Sequence, residues 1–232
     1  VSLPVPVPSL TQLVAADVLD ADLAALAWLL LEDGVPVLVA GGEPRLRDEL
    51  LDALIAALPP PRRPDPSAQA GERRLVRVAG AVGNATPAGP LRAALSRTTG
   101  RSGLASTIEG SDLADVLAVL RRQGLSDDEI SFLGVVLVLG STSPPDMTPG
   151  SGGRVVAAHY LRPVARDAGG HVQRLGPAVL ATWDAERGAY DHFEWAIYPE
   201  LAARTGRRAG DLESEHGDRA ERLRSNVPED PG

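Results

Sequence analysis

The chain has 232 residues, 44% of them hydrophobic, enough for a sizeable core in one large domain or one domain with an appendage. Its formal net charge of -8 argues against a nucleic-acid surface, which needs a clustered basic face. There is no cysteine and all 23 basic residues are arginine, so disulfides, thiolate metal sites, thiol nucleophiles and every lysine-dependent chemistry are excluded.

The opening residues 1–8 read as extended and broken by proline. Ser9 and Gln12 form an S-x-x-Q capping box before a short helix to about Ala16. Asp20 can cap a second helix whose Leu23, Leu26, Ala27, Leu30 and Leu31 share an apolar face, and Gly34 ends it. Residues 35–40 are a short apolar run of the kind a buried parallel strand gives. Gly41, Gly42, Glu43 and Pro44 then turn the chain into a helix expected over about 46–58. Residues 59–72 form a polar, proline-rich linker. Next come a strand at 75–79, a helix from Pro90 to about Ser96, a strand at 103–108 and a helix capped by Ser111. Ser126 and Glu129 make a second capping box, and 135–139 is a buried strand. Strand and helix alternating at this spacing predict a parallel α/β sheet.

The pattern changes after Gly140. A Ser-, Pro- and Gly-rich linker over 140–153 leads to runs at 154–164, 171–182 and 189–193, separated by turn-forming residues, which suggests an antiparallel meander. A helix over about 199–205 follows. The expected organisation is therefore an α/β domain over 1–140, a meander with a short helix packed on it over 154–205, and a disordered, charge-rich tail over 206–232. Trp183, Tyr190, Phe193, Trp195 and Tyr198 form either the small core of the meander or a partner-binding surface. The apolar run at 23–31 is too short to cross a bilayer, which needs about 20 residues. No secretory signal is visible and a cytoplasmic protein is expected; the chain opens on Val1, which leaves an upstream segment open.

Residues 9–58, which include LTQLVAADVLDADLAALAWLLLEDGVPVLVAGGEPRLRDELLDALIAAL, resemble the type II/IV secretion ATPase family, which drives pilus assembly and export. That family carries a short L-x-x-L-V helix, a second helix, a strand and then G-x-x-G-x-G-K-T-T-L-L. The resemblance resumes at Leu75 and runs to about 140; there TTGRSGLASTIEGSDLADVLAVL is similar to the family's T-G-H-x-G-x-x-S-T-I-H-A segment. It implies an α/β fold of truncated P-loop NTPase (RecA-like) type, a mostly parallel sheet flanked by helices, with a C-terminal antiparallel meander. In the family the fold serves ATP hydrolysis with magnesium.

The residues that would perform the chemistry depart from the pattern. A P-loop wraps phosphates with glycine N–H groups, reaches them with a lysine and holds magnesium with a hydroxyl. Gly41 keeps the first glycine, but Pro44 and Leu46 replace the next two, Arg47 replaces the lysine and Asp48 the hydroxyl. Ala81 stands where the family has its Walker B glutamate, and Arg101 and Glu109 where it has its two histidine-box residues.

The expectation is a catalytically inactive relative with a vestigial nucleotide site at Gly41, Gly42, Arg47 and Asp48. No cofactor and no metal are expected. The implied role is structural or regulatory: docking to secretion or pilus machinery, an intact ATPase paralogue included, with peripheral contact to a membrane complex and no nucleic-acid partner. Two alternatives stand beside it. One is a divergent but active motor that binds ATP and magnesium; the other is a metal-dependent enzyme using Asp191, His192, Glu194, His159 and His171.

Overall fold

A computed structural model describes residues 7–64, 74–83, 89–97, 103–141, 153–166 and 172–227. Two short helices come first, α1 (Leu10–Ala15) and α2 (Ala21–Glu32). The Ser9–Gln12 capping box is formed in both directions, and the Asp20 carboxylate accepts from the Leu23 N–H at 2.9 Å. The parallel unit then runs β1 (Val37–Gly41), α3 (Pro44–Ala57), β2 (Val76–Arg77), α4 (Gly89–Arg97), β3 (Leu104–Ile108), α5 (Leu113–Arg122), α6 (Asp127–Ser131) and β4 (Val135–Ser141). Beyond it come β5 (Gly153–Tyr160), a two-stranded hairpin of β6 (Ala165–Arg166) and β7 (Val172–Gln173), β8 (Ala178–Asp184), β9 (Ala189–His192), α7 (Tyr198–Thr205) and α8 (Ala209–Ser225).

The sheet has seven strands in the order β2-β3-β1-β4-β5-β8-β9. β1 lies between β3 and β4, parallel to both, while β5, β8 and β9 continue the same sheet in antiparallel pairing. The expected division at residue 140 is thus spanned by the β4–β5 hydrogen bonds: the meander extends the sheet instead of forming a unit beside it. Helices cover both faces. Leu50, Leu51 and Leu54 of α3 pack with α1, α2 and α8 against Val37 and Val39 on one face. Leu38, Ala40 and Val136 point the other way into a second core with α4, α5 and α6. Both faces of β1 are buried, so its run reads as continuously apolar.

Several elements differ from expectation for identifiable reasons. α3 begins at Pro44, two residues earlier than read, because proline at the first helical position loses no hydrogen bond. The residue capping α5 is Asp112, which accepts from Asp115 N–H at 2.8 Å, while the Ser111 hydroxyl turns to the Asp115 carboxylate. β2 is reduced to an edge pair. The largest correction concerns the tail: residues 209–225 form the 17-residue helix α8, with Leu212, His216, Arg219, Ala220 and Leu223 buried. It packs along α2, whose residues are buried on nearly every side. A helix apolar all round needs a cover on both sides; the sheet supplies one and α8 the other.

Candidate functional site

In open α/β sheets, ligands gather at the carboxyl ends of parallel strands where neighbouring strands send their helices to opposite faces. Here that place lies between β1 and β3, because α3 leaves β1 onto one face and α5 leaves β3 onto the other. Gly41, Gly42 and Arg47 are all at this point. Gly41 and Gly42 take left-handed backbone, with φ of +72° and +55°. A single residue, Glu43, separates them from the first turn of α3. The segment where a phosphate loop would wrap is therefore already helical from Pro44.

Arg47 is 9% exposed, and its Nη1 donates to the Ile108 carbonyl, the last of β3, at 3.2 Å. Its Nε is buried and has no hydrogen-bond partner among the described residues. The guanidinium therefore lies across the strand ends and occupies the place a ligand would take. Leu46, one residue earlier, reaches Gly153 at the start of β5, where a Cβ would stand 2.6 Å from its Cδ2. Asp48 faces outward and is exposed. Among the described residues no carboxylate pairs with this buried guanidinium, which costs desolvation, so Arg47→Met is expected to leave stability unchanged or raise it by about 1 kcal/mol. Chemical denaturation checks this, and a loss of similar size would sink the plugging role.

Ala81 and Glu109 come together one strand over. Val82 bridges to Ile108, and Glu109 N–H donates to the Val82 carbonyl at 2.8 Å. The Glu109 carboxylate lies so close over Gly83 that a Cβ there would fall 2.0 Å from its Cδ. Gln123 Nε2 donates to the Gly83 carbonyl at 2.8 Å, tying the same segment to the end of α5. Arg101 lies outside the described residues. A cavity of about 690 Å3, with Pro36, Phe132 and Arg204 in its wall, opens at the amino ends of the parallel strands; none of residues 41–48 lines it.

The histidines divide. His171 lies outside the described residues, and half-buried His159 on β5 belongs to no metal-ligating group among them; burial pushes its pKa down. Asp191 turns to Arg187, on the opposite side of β9 from its neighbour. His192 instead meets Asp20, with Nε2 and Oδ2 2.7 Å apart, and Glu194, with Nδ1 and Oε2 3.4 Å apart. Asp20 first, and then Glu194, hold the imidazolium form and push its pKa up to about 10 against the cost of burial. Asp22 stands beside Asp20 on the first turn of α2 and is paired with Arg224. The sequence offered His192 and Glu194 as candidate ligands but with other partners, because Asp20 reads as a helix cap and nothing local ties it to His192.

The late aromatics split as well. Trp183 and Tyr190 meet edge to face at 5.2 Å and Tyr198 is buried, whereas Phe193 and Trp195 are 40% and 69% exposed. No protein-family model matches the chain, and no curated protein matches it.

Proposed function

We propose that the chain is a catalytically inactive relative of the type II/IV secretion and pilus-assembly ATPases, built on a truncated P-loop (RecA-like) fold. On this reading it acts as a structural or regulatory subunit through protein contacts. The observation that carries the reading is the first turn of α3. With helix from Pro44 onward and Arg47 spent on the Ile108 carbonyl, the turn after the central strand has no room to wrap a triphosphate. Asp48 sets a carboxylate that repels a triphosphate beside the phosphate position, and Ala81 has no polar side chain to orient an attacking water.

Support for a docking role comes from Trp195 and Phe193, an exposed aromatic pair following the edge strand β9. The partners would be proteins of a secretion or pilus machine, an intact ATPase paralogue among them, with the chain in the cytoplasm at the periphery of a membrane complex. No helix among the described residues is long and apolar enough to cross a membrane. Isothermal titration with Mg-ATP tests the reading. The expected result is no saturable heat up to millimolar nucleotide; micromolar binding would overturn it in favour of a divergent active motor.

A further inference from the structure

Asp20 and His192 are 172 positions apart in the chain and meet in a small polar cluster between the α1–α2 turn and the edge strand. One oxygen each from Asp20 and Asp22 and one nitrogen of His192 all lie within 4.8 Å of one another, and all three residues are only partly buried. Asp20 divides its oxygens: Oδ1 accepts from the Leu23 N–H, which fixes the carboxylate, and Oδ2 faces His192. Asp22 is held by Arg224 of α8, a long side chain that is 47% exposed and free to swing into solvent.

A second observation stands apart from these three ligands. Glu194 is 7% exposed, and its Oε2 faces the other ring nitrogen of His192 at 3.4 Å, an ion-pair contact, with no closer hydrogen-bond donor among the described residues. A buried carboxylate oxygen whose one partner is this imidazole nitrogen is costly unless the nitrogen keeps its proton toward it. Metal-bound histidines almost always donate the N–H of their second nitrogen to a carboxylate, which fixes the tautomer and the ring plane. Glu194 is where such a carboxylate should be if His192 bonds a cation through Nε2.

We propose that Asp20, Asp22 and His192 Nε2 form a binding site for a divalent first-row metal ion, with Glu194 as the positioning carboxylate behind the histidine. The cation takes the place of the Nε2 proton between His192 and Asp20, and Arg224 releases Asp22. One imidazole with two carboxylates, in a chain without cysteine, suits zinc or manganese better than a soft thiophilic ion. The open side of the cluster leaves positions for water. Such a bond ties the last strand of the sheet to the start of α2. This inference is independent of the nucleotide reading, because none of its residues belongs to the turn at 41–48.

The test is calorimetric titration of the metal-free full chain with zinc chloride, repeated with manganese chloride. One equivalent of zinc is expected, with His192→Ala and Asp20→Asn each weakening binding at least tenfold. Asn is itself a good helix cap, so the second variant keeps the fold if the first fails to. Glu194→Gln should bind one equivalent with affinity lowered about 10- to 100-fold. Zinc should also raise the thermal midpoint of the natural chain and leave that of Asp20→Asn unmoved. No saturable zinc uptake, or undiminished affinity in both His192→Ala and Asp20→Asn, would overturn the proposal and leave the cluster as an ion-pair network.

Discussion

Gly41→Ala is expected to destabilise the fold by roughly 3–5 kcal/mol, combining left-handed strain with overpacking. Gly41 has a φ of +72°, where any β-carbon is strained, and that carbon would stand 2.1 Å from the Leu139 carbonyl oxygen. The obstacle is backbone in the middle of the sheet, since Gly41 pairs with Leu139 in register, so the clash has no cheap relief. Gly42 makes the contrast. Its β-carbon would meet the Leu139 side chain at 2.8 Å and the position is exposed, so Gly42→Ala should cost about 1–2 kcal/mol, mostly strain. Urea unfolding of the two variants separates them. Equal midpoints would mean that the turn is not pinned against β4. The comparison also bears on the nucleotide site: Gly41 has a packing reason to persist whether or not a phosphate ever sits beside it.

That distinction limits what the sequence could tell. The strand at 35–40 and the capping boxes at Ser9 and Ser126 were legible because local chemistry decides them: a buried parallel strand is a bare apolar run, and a cap is a hydroxyl three residues before its partner. The role of Arg47 was not legible. At a lysine position it reads as a weakened phosphate ligand, and only the early start of α3 aims it at the Ile108 carbonyl. The cluster at Asp20, Asp22 and His192 was out of reach for a different reason: its members are brought together by the antiparallel extension of the sheet, which no local pattern encodes. α8 falls between these cases. Leu212, His216, Arg219, Ala220 and Leu223 do recur at helical spacing, but two of the five are polar, so the stripe looked like a solvated run. Its complement was visible on α2, where Ala24, Ala25 and Leu29 extend the apolar face around the helix and so demand a second cover.

Ending the chain after Gly206 is therefore expected to abolish cooperative unfolding, and Leu212→Ala alone to cost about 3 kcal/mol. Leu212 is fully buried in the core it shares with α2. Around it α8 answers polar groups that α2 and α7 cannot satisfy by themselves. Tyr198 donates its hydroxyl proton to His216 Nδ1 at 2.5 Å, and His216 Nε2 donates to the Asp22 carbonyl at 2.8 Å, which fixes the tautomer. Arg219 lays its guanidinium 4.3 Å from the centre of the Trp28 ring while donating to Glu32 at 2.9 Å, so its stem covers apolar surface and its head stays paired. Removing the helix uncovers the side of α2 that it covers, together with these orphaned groups, and burial of a leucine such as Leu212 is worth about 1.5–3 kcal/mol. Tryptophan fluorescence during urea unfolding reports on this directly, because Trp28 sits beneath Arg219. A truncated chain with the midpoint of the full one would restore the disordered tail and refute α8 as the outer wall of the core; a broad, non-cooperative transition is what a helix buried on both sides requires when one side is taken away.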